Sequence, residues 1–339
     1  SIIFKILSII LLFIFVKRPS DYLIYAAITV LASVGSNFLN FVHARSFIHI
    51  RLTLNTRWKY HLKPILTIFA SSVAVTIYVY SDNTILGLMK NDYAVGIYST
   101  SVKIYQIAQS LLSAVLTVTI PRLAMLWGQR RRREYNDVLT RVINTLGVLV
   151  LPASVGLLML SREVVLIIAG PKFLPSVNSL RIITWAIIFS IFSWIFSDCV
   201  LIPAKREKRV LQNTLITAVI NIVLNFILIP TMSYDGTSLS TVLAELSVMI
   251  MNGYSCKDII KPIIFKKETL KNLLESIIGC IGIVIVCLLC QWGWDSMTWK
   301  TVFSVILSVP MYGAILVLLK NKIAISMLKN AINIIKNKI

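Results

Sequence analysis

The sequence predicts an all-α integral membrane protein with about ten transmembrane helices. Three observations carry that expectation. Ten long apolar stretches fill the chain, at roughly residues 2–16, 21–42, 64–88, 93–120, 139–161, 177–202, 210–230, 236–254, 272–292 and 300–320. A bilayer core about 30 Å thick needs about 20 apolar residues in a helix, and most of the stretches reach that length. Mean hydropathy is +0.81 with 57% hydrophobic residues, far more apolar than a soluble domain of this size. Finally, lysine and arginine gather in every second loop.

Taken in order, the first two stretches form a hairpin turning at Lys17-Arg18-Pro19-Ser20-Asp21. The 43–63 segment follows, carrying Arg45, Arg51, Arg57, Lys59 and Lys63, with Trp58 and Tyr60 placed to anchor at headgroup level. Stretches three to eight make a six-helix block with short outer turns. Its basic loops hold Arg122, Arg130 to Arg133 and Arg141, then Lys205, Arg206, Lys208 and Arg209. A linker with Lys257, Lys261, Lys266, Lys267 and Lys271 leads to the last two stretches, whose outer turn is ringed by Trp292, Trp294 and Trp299. The tail carries Lys320, Lys322, Lys329, Lys336 and Lys338, whereas the other loops hold only Lys17, Arg18, Lys90, Arg162, Lys172 and Lys300. This alternation is the positive-inside pattern, and it puts both ends of the chain in the cytoplasm. The expected organisation is residues 1–62, a helix pair with a basic cytoplasmic loop; 63–258, the six-helix block; and 259–339, two final transmembrane helices with a basic cytoplasmic tail. The chain starts at Ser1 and enters an apolar run at once, without the charged n-region or cleavage site of a signal peptide. It reads as a chain whose beginning lies upstream.

Composition excludes several function classes. The net charge of +20 sits beside membrane spans, where attraction to anionic headgroups explains it more simply than nucleic-acid binding. Cys199, Cys256, Cys280, Cys287 and Cys290 are odd in number and fall mostly in apolar helices, as packing residues do. His43, His49 and His61 share one basic loop with no Cys or carboxylate at ligand spacing, so no metal or cofactor is expected. No Walker A motif or nucleophile elbow occurs, and no loop is long enough to fold as a catalytic domain. Enzyme chemistry is not expected.

The informative residues are polar ones inside the apolar stretches. Ser99, Lys103, Gln106, Ser110, Ser113 and Thr117 are spaced 4, 3, 4, 3 and 4, which lines them along one side of a helix. Asn213, Thr217, Asn221 and Asn225 recur at steps of four; Ser238, Thr241 and Glu245 follow, and Tyr78 and Asp82 come from the third stretch. Arg181 enters the sixth stretch and Asp198 lies near its inner end. A charge at mid-membrane costs about 2.5–3.5 kcal/mol on insertion scales, so such groups face a bundle interior or a wet cavity. Two readings stay open: polar glue between helices, with Asp82 or Glu245 paired to Lys103 or Arg181, or a water-filled, cation-lined cavity. Proline marks the stretch ends at Pro64, Pro121, Pro203 and Pro230, while Pro152, inside a stretch, is the hinge candidate.

The order Asp82…Leu86-Gly87…Val95-Gly96-Ile97-Tyr98-Ser99…Lys103…Pro121 resembles the seventh and eighth helices of bacterial polysaccharide flippases of the Wzx type, which move O-antigen and capsule repeat units. Pro152…Gly156…Glu163…Gly170…Phe173…Leu180 is similar to the same family, and Asn221…Asn225…Ile229-Pro230…Gly236…Ser240-Thr241…Glu245 resembles its eleventh and twelfth helices. These motifs cover about 82–245, and the ten stretches align with helices five to fourteen of a fourteen-helix protein. The resemblance implies a MATE-like flippase fold, two six-helix bundles facing each other across a central cavity. Residues 1–62 would be the last two helices of an incomplete first lobe, and 63–258 the C-terminal lobe. It also implies a substrate, an undecaprenyl-diphosphate-linked oligosaccharide turned from the inner to the outer leaflet of the bacterial cytoplasmic membrane. Membrane lipids, a polysaccharide polymerase and glycosyltransferases of the pathway would be its partners, with no nucleic acid. On that reading Lys103, Arg181, Gln106, Ser99, Ser110, Asn221, Asn225 and Thr241 line the cavity, and Asp82 or Glu245 is the ion-coupling site or counter-charge. A MATE-like small-molecule exporter and a non-functional flippase fragment are the alternatives.

Overall fold

The structure is a computed structural model and describes residues 2–18, 21–47, 62, 80–293 and 297–336. His49, His61, Trp58, Tyr60, Pro64, Tyr78 and Trp294, and most of the third apolar stretch, lie outside the described residues. Among the described residues all regular structure is helical. Contacts divide the chain into two units, Ser1–Ser71 and Ser72–Ile339.

The first unit holds α1 (Ile2–Phe15) and α2 (Tyr22–Phe47), packed as a hairpin. Its turn is closed by Asp21, whose carboxylate accepts hydrogen bonds from the backbone N–H groups of Lys17 and Arg18. The helices approach closely at Gly35, where a Cβ would run into the Phe4 ring.

The second unit begins with α3, described over 80–89. It continues through α4 (Asp92–Gly128), α5 (Arg132–Met159) and the short α6 (Ser161–Ile168). Then come α7 (Ser176–Trp194), which runs into a π-helical segment at Ile195–Leu201, and α8 (Glu207–Ser255). At 49 residues α8 would be about 74 Å long at 1.5 Å per residue, more than twice a bilayer core. It is two spans: Ser233 departs from helical geometry at φ 52° and ψ −130°, three residues after Pro230. Gly236 is required beside that break, because a Cβ there would lie 2.6 Å from the carbonyl oxygen of Leu228. The chain ends with α9 (Lys257–Ile264), α10 (Lys267–Gly293), α11 (Met297–Leu318) and α12 (Lys322–Lys336).

Among the described residues seven helices are long and apolar enough to cross a membrane, one of them the two-span α8. With the shorter α1, these account for every apolar stretch but the third. The protein is thus an all-α, multi-pass membrane protein. Helix ends differ from the sequence expectation where chain leaves the apolar layer. α4 runs through Pro121 to Gly128, and α5 starts at Arg132 rather than near 139. There Trp127 stacks edge-on against Tyr135 and Arg132 lies over the Trp127 ring. The linker and tail also contain the helices α9 and α12.

Packing explains which face of each helix turns inward. α7 sits centrally, against α4, α5 and α8, and buries Leu180, Ile183, Ile187, Ile191 and Ile195. A second apolar cluster joins α5 to α10 and α11 through Val148, Ile283, Tyr312 and Leu316. The first span of α8 turns Asn213, Thr217, Asn221 and Asn225 inward and leaves Leu215, Val219, Val223 and Phe226 exposed. That is the reverse of a soluble helix. In hydrocarbon the apolar face needs no cover, while polar groups must find partners inside.

Candidate functional site

α4 carries two polar stripes on opposite sides. Tyr98, Ser101 and Tyr105 are buried against the rest of the unit. Lys103, Gln106, Ser110 and Thr117 are exposed, with Ser99 and Ser113 half-buried between. Ser99 Oγ donates to Asn83 Oδ1 at 3.2 Å. Ser110, Ser113 and Thr117 each donate to a carbonyl of their own helix, so their oxygens keep free lone pairs. Lys103 and Gln106 have no hydrogen-bond or ion-pair partner among the described residues.

A separate cluster forms inside the unit. Asp82 on α3 is buried. Its Oδ2 accepts from Tyr98 Oη at 2.8 Å and Thr241 Oγ1 at 2.9 Å, and its Oδ1 from Asn225 Nδ2 at 2.6 Å. Asn225 Nδ2 also reaches Asn221 Oδ1 at 3.3 Å, and Ser240 Oγ donates to Asn225 Oδ1 at 2.7 Å. The break at Ser233 makes this possible, because it folds the second span of α8 back so that Ser240 and Thr241 meet Asn225 and Asp82. Glu245 follows one turn beyond Thr241 on the same helix. Among the described residues no ion pair joins Asp82 or Glu245 to Lys103 or Arg181. Arg181 is exposed on α7 and donates from Nε to Ser161 Oγ at 2.9 Å.

The sequence-derived residues therefore fall into three places. Asp82, Asn221, Asn225 and Thr241 come together, with Glu245 beside them. Ser99, Lys103, Gln106 and Ser110 share the uncovered face of α4. Arg181 stands apart. Tyr98 and Ser240 belong to the buried cluster and were not picked out as site residues. Asp82 and Tyr98 lie on successive helices, and the turn between α3 and α4 brings the hydroxyl to the carboxylate. Chemically the cluster offers one carboxylate with amide and hydroxyl oxygens, a donor set suited to a hard cation rather than a transition metal. Among the described residues no group of three or more His, Cys, Asp or Glu side chains forms a metal site. Beside α4 a cavity of about 500 Å³ is lined by apolar residues of α5, α10 and α11, Pro152, Leu157, Ile283 and Val305 among them.

Comparison with known proteins places this architecture. Residues 1–127 match the family described as polysaccharide biosynthesis protein, and residues 67–227 match the MatE family. Both matches, each over less than half of the chain, make it similar to the MATE-like flippase superfamily. It is also similar to the lipid II flippase MurJ of Bacillus subtilis, 28% identical over 56% of this chain and 35% of the relative. It is 25% identical to a Haloferax volcanii protein named as a low-salt glycan biosynthesis flippase, over 51% of this chain and 37% of the relative. A Shigella dysenteriae protein named as an O-antigen transporter is 24% identical over 73% of this chain and 62% of the relative. The chain thus spans about a third of the first two relatives. These relatives bear flippase and transporter names, not enzyme names. The fold is similar to that of a solved structure titled lipid II flippase MurJ, inward closed conformation, with a TM-score of 0.70 at 18% identity, over 93% of this chain and 66% of that one.

Proposed function

We propose that this chain turns undecaprenyl-diphosphate-linked oligosaccharide repeat units across the bacterial cytoplasmic membrane, for O-antigen, capsule or exopolysaccharide synthesis. The observation that carries the reading is the uncovered polar face of α4. A lipid-linked sugar cannot cross hydrocarbon because its hydroxyls and diphosphate would lose hydration without replacement. Ser99, Gln106 and Ser110 offer hydrogen-bond partners to sugar hydroxyls, and Lys103, without a carboxylate partner among the described residues, offers a cation to the diphosphate. Arg181, held by Ser161, supplies a second cation on another helix. The prenyl tail stays in lipid.

The Asp82 cluster serves as the ion-coupling site, binding a cation or proton in one conformation and releasing it in another. Alternating access comes from rocking of helix bundles. Both termini of the chain lie in the cytoplasm, on the side of the basic loops. Glycosyltransferases act before the flipping step and a polymerase after it.

Lys103→Ala and Arg181→Ala, each made in the gene in its host, are expected to abolish surface polysaccharide at normal expression. Wild-type polymer in both variants would remove those residues from the mechanism. The apolar cavity beside α4 favours a second reading, a small-molecule exporter. Drug susceptibility of a deletion strain separates the two: hypersensitivity with intact polysaccharide supports export.

A further inference from the structure

A second cavity, of about 360 Å³, opens at the basic end of the bundle and plays no part in the proposed transport. It lies between α5, the start of α10 and the α11–α12 turn. Lys267, Lys271, Lys320 and Lys322 line it together with Glu268 and Glu275. Both acids are already engaged. Glu268 is bridged by Lys322 at 2.8 Å. Glu275 accepts from Asn321 Nδ2 at 2.7 Å and meets Lys271 at 3.6 Å. Lys267 and Lys320 have no ion-pair partner among the described residues, so the cavity keeps an excess of two positive charges. Its floor is a buried amide network: Asn321 Nδ2 donates to Asn272 Oδ1 at 2.7 Å, and Asn272 Nδ2 donates to the Asn144 carbonyl at 3.1 Å. The first turns of α10 and α12 border it, and a helix N-terminus carries partial positive charge that favours anions.

What adjoins the cavity identifies the class of anion. Lys267 and Lys271 lie on the same side of α10 as Leu274, Ile278 and Ile281, at helical steps of three or four, and those three are exposed. Cations above an uncovered apolar strip match an amphiphile with an anionic head and acyl chains. We propose that this cavity binds the phosphate of an anionic glycerophospholipid of the cytoplasmic leaflet, with its chains lying along α10. The bound lipid would tie α10, α12 and α5 together at the membrane surface.

The test uses the full chain in nanodiscs with lipid on both faces, so its outcome does not depend on the orientation or substrate proposed above. Native mass spectrometry counts retained phosphatidylglycerol in a phosphatidylcholine background. Lys267→Gln with Lys320→Gln is expected to weaken retention of one phosphatidylglycerol by roughly tenfold or more, since each surface cation contributes appreciably to anionic-lipid binding. Lys205→Gln with Lys208→Gln, outside the cavity, is expected to bind as wild type. An unchanged melting temperature in phosphatidylcholine alone verifies that each variant folds. Equal retention by wild type and the cavity variant, or equal loss in the Lys205/Lys208 control, would overturn the proposal. Displacement of the lipid by millimolar inorganic phosphate would overturn it too, by assigning the cavity to a soluble anion.

Discussion

Asp82 shows why a buried carboxylate in a membrane helix cannot be read from its identity alone. Three donors converge on its two oxygens, and exchanging one oxygen for an amide NH2 would leave at least one of them facing a donor instead of an acceptor. Asp82→Asn is therefore expected to lower stability by about 1–3 kcal/mol, the usual penalty for leaving buried polar groups unmatched, and to abolish transport. Thermal unfolding in detergent and surface polysaccharide measure the two effects separately. Normal polysaccharide with lowered stability would leave the cluster a structural one. The steps of four through Asn213, Thr217, Asn221 and Asn225 were legible in the sequence, since helical periodicity fixes which residues share a face. The partition of those faces was not. A polar stripe looks the same whether a carboxylate or water stands opposite it, so the Asp82 cluster and the open α4 face read as one shared interior.

The elements repeat one device at the basic side of the bundle. Arg130, Lys205 and Lys320 each stand just beyond a helical segment at φ 58–59°, where glycine is usual. In each case the next residue's N–H reaches back to the last turn: Arg131 to Leu126, Arg206 to Leu201 and Asn321 to Leu316. A cation at that position complements the negative end of the helix dipole and adds to the positive-inside bias. Replacing Lys205 with glycine is expected to stabilise the fold slightly, by about 1 kcal/mol at most, because left-handed geometry is unfavourable for side-chain-bearing residues. A loss of stability in detergent would show that the charge outweighs the backbone. At the opposite end of the bundle Gly236→Ala is expected to destabilise by about 1–3 kcal/mol, as overpacking does, because its neighbour is the rigid Leu228 carbonyl. Unfolding temperature unchanged by that substitution would contradict the tight break at Ser233.

α9 is tethered by Arg206, which forms a two-pronged bridge to Asp258 with both distances 2.7 Å. The guanidinium holds the Asp258 carboxyl below the usual carboxylate range. A depressed folded-state value means that the bridge contributes at neutral pH and is lost as pH falls through that value. The bridge is largely exposed, so the effect stays local. The protection of α9 amides, corrected for intrinsic exchange rates, is expected to fall on acidification in the wild-type chain and to be independent of pH in Asp258→Asn. Neither α9 nor α12 was legible in the sequence as a helix. Both are short and lysine-rich, and apolar-stretch reading registers only segments that cross the bilayer.

The molecule is built on inverted amphipathicity, with apolar faces outward and polar faces either locked inside or left uncovered. Fold class and span count followed from length and charge alternation alone, because the bilayer imposes both. Which open face is wet depends on how helix bundles close around it, and no single helix encodes that. The five native cysteines are all buried, which gives a quiet background for chemical labelling. Single cysteines at Ser99, Lys103, Gln106 and Ser110, with Tyr98 and Ser101 as buried controls, would be exposed to a charged, water-borne thiol reagent in membranes. The α4 face is predicted to react and to be shielded when lipid-linked oligosaccharide accumulates, while the controls stay silent. Labelling of that face only by a lipid-soluble maleimide would place it against hydrocarbon and contradict translocation along it.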